Sequence, residues 1–250
     1  KSGFKVIEIE NGKTLNLSKN LNLTIYAADN CDPHLCYKFT GCANFLKKGG
    51  SQQIDSMAVI NNNKYSILNT NDCPYELSSS VLNEIKKKFN KIDVLLTGFG
   101  GAGPYPQCFE NFTLKEKEIE AKKKEVNFLN QVIKYLKKIN PNFYLPFAGT
   151  YTLTGYLSKL QNLRGVPNID QAYNYIDQQI KKEPILSQIK SIKINPEKEF
   201  DIKKERASEA YQKFNMVDYN NYIQKVLLTK KLDYENEETT SFDEIKELAT

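Results

Sequence analysis

At 250 residues, 40% hydrophobic and 11% aromatic, the chain can bury a sizeable core, as one large domain or one domain with a helical appendage. Its formal net charge of +5 rests almost wholly on lysine, since Arg164 and Arg206 are the only arginines; guanidinium groups do most bidentate phosphate and guanine recognition, so a nucleic-acid-binding role ranks last. No apolar run reaches the roughly 18 residues that a membrane-spanning helix needs, and five cysteines without framework spacing, with no secretory signal at the start, suit a reducing cytoplasm.

In chain order, residues 5–9 and 14–17 alternate polar and apolar side chains around Asn11-Gly12, a dipeptide that favours tight turns, and they predict a first hairpin. A strand over residues 21–27 runs into Asp29, Asn30, Cys31, Asp32, Pro33 and His34, which then lie at a strand tip. Strands over residues 55–60 and 65–69 flank Asn61-Asn62-Asn63 and read as a second hairpin. An amphipathic helix over residues 77–89, with Ser78, Ser79 or Ser80 as its N-cap, leads to an apolar strand at 92–97. A long helix over 113–139 carries Val126, Leu129, Val132, Ile133 and Leu136 on one face and lysines on the other, and Asn140-Pro141 stops it. A strand at 143–148 follows.

Two hairpins and then β-α-β-α-β predict an α/β fold, a mixed sheet covered by helices on one face. Beyond Tyr156, residues 169–180 and 203–228 read as helices joined by an extended link over 185–196, and the acidic stretch 233–247 reads as a solvated tail. The expected division is a sheet domain over residues 1–165 and a helical C-terminal extension over 166–250.

The chemistry is expected between residues 65 and 109, because loops converge on ligands at the strand ends of such sheets. Asp72 stands at one strand end and the turn Gly98-Phe99-Gly100-Gly101-Ala102-Gly103-Pro104-Tyr105-Pro106 at the next. A carboxylate at a strand end suits a metal ion, and equally suits the N-cap of the following helix. His34, the single histidine, lies beside Asp29, Asp32, Cys31 and Cys36 and could offer imidazole to a metal or simply occupy a polar loop. The cysteine spacings there, through Cys42, are wider than those of structural zinc sites. The glycine-rich turn is neither a Walker loop nor a dinucleotide fingerprint. Its Gly101, Tyr105 and Gln107 either face a ligand or make a tight connection. Thr150 and Tyr151, closing the next strand, offer hydroxyls to the same cleft or pack the core. Arg164 could bring an arginine to an anionic substrate.

In this order and spacing, four segments resemble the metallo-β-lactamase superfamily: strand 21–27, the hairpin ending in Asn71-Asp72-Cys73, the run from Leu95-Leu96-Thr97 to Tyr105-Pro106-Gln107-Cys108, and Tyr144-Leu145-Pro146-Phe147-Ala148-Gly149. The branch is that of L-ascorbate-6-phosphate lactonase-like proteins and CMP-N-acetylneuraminate hydroxylase. The last two segments look closest to the hydroxylase, and the likeness covers residues 1–165. It implies an αββα sandwich with a metal pair (zinc, iron or manganese) at one edge. It also implies a metal-dependent hydrolase-like activity on an activated or phosphorylated sugar, or a nucleotide sugar. Its alternatives are a hydroxylase-like oxygenase component and a metal-free binding or assembly module using the same cleft.

Asp72 falls where this superfamily places its bridging carboxylate. The His-x-His-x-Asp-His motif is absent from the chain. Asn30 falls near the place of a later ligand histidine, with His34 four residues beyond, and Ala148 sits near that of the final one. Asp72 and His34 do not hold two metals unaided. Either a missing N-terminal half of the same protein brings the other ligands to an incomplete sandwich, or the fold has lost its metal; an opening at Lys1 inside what reads as the sheet favours the former.

Overall fold

In the computed structural model, the strands of the main sheet stand side by side in chain order. They are β1 (Thr14–Ser18), β2 (Leu21–Ala27), β3 (Ser56–Asn61), β4 (Ser66–Asn69), β5 (Val94–Thr97), β6 (Phe143–Pro146) and β7 (Lys190–Ser191). The structure describes Gly3, residues 6–27 and 55–231, and Lys246. β1 to β4 pair antiparallel and β4 to β7 parallel, so the mixed α/β class expected from the sequence is the class of the molecule.

Each parallel step is bridged by a helix: α1 (Tyr75–Lys88), α2 (Leu114–Ile139) and α3 (Ile169–Lys182). Right-handed crossovers that always step the same way along a sheet put their helices on one face. The core follows from this. Val59, Leu68, Leu95 and Tyr144 stand in register on four adjacent strands. They share one buried cluster with Leu82 and Ile85 of α1, Val132 and Leu136 of α2, and Ile176 of α3. On the opposite face Val94, Phe143 and Ile192 are buried among half-buried Ile67, Leu96 and Leu145. A two-stranded ribbon, β8 (Phe200–Asp201) and β9 (Arg206–Ala207), covers them there, with the Phe200 ring 5.4 Å from that of Phe143.

Local signals set the ends of α2. Thr113 and Glu116 form a reciprocal capping box, and Asn140, at φ +52°, closes the last turn in the left-handed region. Asn168 and Gln171 cap α3 in the same way.

Several expectations are corrected. The first hairpin is β1 with β2, and residues 6–10 form no strand, because the Gly12 amide donates to Ile25 O and carries the Asn11-Gly12 turn onto the side of β2. Helix α1 starts at Tyr75, not Leu77, behind Pro74, with no side-chain cap; Ser78 donates back to Pro74 O at 2.7 Å instead. Residues 184–196 hold a 3-10 turn and β7 rather than an extended link. Residues 203–228 are not one helix. β9 takes their first part into the ribbon, and α4 (Met216–Tyr222) begins only where Asn215 accepts from the Val217 and Asp218 amides.

Packing also carries across residue 165. Ala172, Tyr173, Ile176 and Ile180 join the main core, and Tyr144 donates to Asp177 at 2.6 Å. What was expected as a helical extension therefore shares the core and supplies the edge strand β7. The acidic stretch 233–247 lies outside the described residues apart from Lys246. Among the described residues no helix is long and apolar enough to cross a membrane.

Candidate functional site

The parallel strands bring the C-terminal tips of β4, β5 and β6 together, and the loops that leave them interlock. Thr70 and Thr97, both buried, join the first two tips through their hydroxyls at 3.1 Å, and the Phe147 amide donates to Thr97 O at 2.9 Å. A Cβ on Gly98 would stand 3.6 Å from Asn71 O and 3.7 Å from Ala148 O, so the glycine turn sits between the other two tips. A Cβ on Gly100 would stand 2.1 Å from Gly149 O, and one on Gly149 would stand 2.3 Å from the Phe99 ring. The turn needs glycine because backbone is pressed against backbone and ring.

Asn71 (φ +50°) and Ala148 (φ +47°) flank this turn in left-handed conformations that side-chain-bearing residues adopt at a cost. Asn71 turns the chain so that Asp72 is exposed, and no described residue bonds or pairs with its carboxylate. Since α1 is capped by Pro74, Asp72 is not an N-cap.

Behind the turn lies a second, more deeply buried group. Tyr105, which precedes a cis peptide bond to Pro106, packs edge-on against Phe109 and Phe112 and donates to Glu120 at 2.5 Å. Burial first, and that hydrogen bond second, push the Tyr105 phenol up to about 12. Gln107 is 2% exposed; its Nε2 donates to Gly103 O and to the Tyr151 hydroxyl, and its Oε1 is buried without a partner among the described residues. The Tyr151 ring covers the Arg164 guanidinium, 5.3 Å from centroid to Cζ. Burial raises the Tyr151 phenol, against the lowering influence of Arg164.

Arg164 is 8% exposed. Its Nε donates to Gln161 O at 2.7 Å, and one terminal nitrogen, Nη1, is buried without a partner among the described residues. Two lysines of α2 reach the loop from the other side. Lys117 donates to Gln107 O at 3.1 Å and Lys124 to Tyr105 O at 2.9 Å. Burial, then the nearby Arg164 charge, lowers Lys124 to about 8.

Of the residues singled out from sequence, Tyr105, Gln107, Tyr151 and Arg164 thus come together as one group. Asp72 stands at the strand tips, and Thr150 is exposed near the tip of β6. Gly101 serves packing, since a Cβ there would stand 2.3 Å from the Phe128 ring of α2. His34 and the cysteines at 31, 36 and 42 lie outside the described residues. Lys124, Lys117 and Gln161 were not anticipated. Lys117, Glu120 and Lys124 follow an i, i+3, i+7 spacing, which marks one helix face, but the surrounding lysines hide it.

A cavity of about 660 Å3 opens at the other end of the strands, lined in part by Ser66, Asp93 and Asn142. Asp93 accepts there from the Ser66 amide and from Asn142, so it braces β4 against β6 rather than awaiting a ligand. Among the described residues no three His, Cys, Asp or Glu side chains gather closely enough to hold a metal ion. Asp72 offers one carboxylate where a protein metal site needs three or four donors, so the described residues alone do not fit the metal pair.

No family model matches the chain. Over 137 residues, 53% of this chain, it is 26% identical to a cytidine monophosphate-N-acetylneuraminic acid hydroxylase of Danio rerio, and the match spans 21% of that protein. Among the solved structures that are similar at low identity are the following three. A CmlA beta-hydroxylase mutant has a TM-score of 0.42 at 10% identity, over 76% of this chain and 32% of its own. A putative metal-dependent hydrolase from Parabacteroides distasonis has a TM-score of 0.35 at 13% identity, over 74% and 55%. An isothiocyanate hydrolase from Delia radicum gut bacteria has a TM-score of 0.39 at 9% identity, over 76% and 57%.

Proposed function

We propose that this chain is part of a metal-dependent hydrolase-like enzyme acting on an activated or phosphorylated sugar, with the tips of β4, β5 and β6 forming the substrate edge of its site. The observation that carries this reading is the Asp72 carboxylate, exposed and without a described partner, beside a glycine turn flanked by two left-handed residues. Backbone held in such conformations concentrates at functional sites. In this reading Asp72 is one metal ligand, His34 is a second, and the others come from an N-terminal half of the same protein. Tyr105, Gln107, Tyr151 and Arg164 hold the substrate.

A second reading is favoured by the hydroxylase relative: an oxygenase component acting on a nucleotide sugar. A third is a metal-free binding module that uses the same residues.

Elemental analysis of the purified whole protein, including the N-terminal half that this reading requires, with and without Asp72→Ala, tests the first reading. Stoichiometric zinc, iron or manganese is expected in the parent and lost in the variant, with circular dichroism unchanged because Asp72 is exposed and does not cap α1. Metal retained at full stoichiometry in the variant removes Asp72 from the site. Metal-free protein that still binds a nucleotide sugar selects the third reading.

A further inference from the structure

Buried polar groups in folded proteins are nearly always paired, and an unpaired one buried away from water is costly. Five buried side-chain atoms lack a partner among the described residues, and three of them belong to the group behind the glycine turn: Arg164 Nη1, Gln107 Oε1 and Gln161 Oε1. These three are tied together. Tyr151 lies over the Arg164 guanidinium and bonds Gln107, while Arg164 Nε bonds the main chain of Gln161. The charge there is also one-sided. Neither Arg164 nor Lys124 has a carboxylate partner among the described residues, and the nearby Glu120 is already engaged by Lys123 and Tyr105. Two partly desolvated cations held close together favour an anion between or beside them. The orphaned oxygens call for something more, because a bare anion offers no hydrogen to Gln107 Oε1 or Gln161 Oε1.

We propose that Arg164, Lys124, Gln107 and Gln161 form a binding site for a hydroxylated oxyanion, a phosphate or carboxylate group on a hydroxyl-bearing molecule such as a sugar phosphate or sugar acid. The oxyanion accepts from Arg164 Nη1 with Lys124 as the second cation, and the hydroxyl groups donate to the two glutamine oxygens. Tyr151 backs the guanidinium and holds Gln107 in place. The site rests on the function proposed above only for its ligand being the substrate, and it requires no metal.

The test is calorimetric titration in EDTA at constant ionic strength, with glucose 6-phosphate, gluconate and uncharged glucose as probes. Saturable binding of glucose 6-phosphate or gluconate is expected, with none of glucose. Whichever charged probe binds decides between phosphate and carboxylate. Arg164→Gln should weaken binding by at least about tenfold, as expected on losing a charged hydrogen bond, and Lys124→Gln by a smaller factor. Absence of saturable binding for both charged probes overturns the proposal. Unchanged affinity in a folded Arg164→Gln protein does the same.

Should Arg164→Gln fail to fold, the pH dependence decides. The groups facing Lys124 and its partners are Lys117 and Glu120 on α2, Tyr105 and Cys108 on the loop, and Tyr151 and Arg164 beyond it. Lys124 is held at about 8 and so loses its charge as pH rises above that value. Affinity should fall between pH 7 and pH 9.5 in the parent and in Cys108→Ser, and stay flat in Lys124→Gln. A flat profile in the parent, or an equal fall in Lys124→Gln, refutes the role of Lys124 as the second cation and with it the site as drawn. Because the titrations exclude metal, they stand apart from the Asp72 metal measurement, and either can fail alone.

Discussion

Gly100 is a residue whose side-chain absence is decided by its neighbour's backbone rather than by its own dihedral angles. A methyl group there would overlap Gly149 O at 2.1 Å, and a carbonyl in a strand-tip loop has little room to retreat. Gly100→Ala should therefore destabilise the protein by about 1–3 kcal/mol, the usual range of overpacked core sites. Urea denaturation measures this, and a loss below about 0.5 kcal/mol, the level of an ordinary surface change, would show that the two loops are not interlocked.

The sequence makes the cluster of glycines plain but not their separate tasks. Gly101 reads as facing a ligand or making a tight connection, and a Cβ there would meet the Phe128 ring. The same division holds for charge. Arg164 stands out by its rarity, whereas Lys124 is hidden because a lysine-rich helix gives no sign of which ammonium group the fold will bury.

Among the elements, α2 is the best determined from sequence, since its capping box and its Asn140 stop are local chemistry that needs no tertiary partner. Thr113→Ala should cost about 1 kcal/mol, because it removes the acceptor for the Glu116 amide. Circular dichroism of thermal unfolding reads that loss, and an unchanged midpoint would mean that the helix start is held by packing alone. The first hairpin shows where such reasoning stops. Residues 5–9 and 14–17 both alternate, but alternation fixes which side chains share a face and not which strand becomes the neighbour. The pairing went to β2, which is longer and offers Thr24 to Thr14 at 2.8 Å. A similar limit applies to α4, where residues 203–228 have helical composition but the ribbon claims Arg206 and Ala207 first.

For the molecule as a whole, the mixed sheet with helices on one face was legible because period-two and helical patterns alternate clearly from residue 55 to residue 148. The limit drawn at residue 165 had no such basis. It followed the change of pattern beyond Tyr156 together with the extent of a family likeness, while the core follows apolar side chains such as Tyr173 and Ile176 that lie beyond it. A chain ended after residue 165 would expose the face of α2 that meets α3 and leave β6 as a bare edge. It should show no cooperative unfolding transition in urea; a sharp transition would establish residues 1–165 as an independent unit.

Spatial succession of β1 to β7 in the order of their synthesis has a further outcome for how such a protein is made. Each new segment leaving the ribosome meets an open border that its forerunner has just completed, so nothing has to be threaded between two members already joined. Assembly can advance in one direction, from the amino-terminal margin toward the last and shortest member, with each arriving helix sealing the joint beneath it.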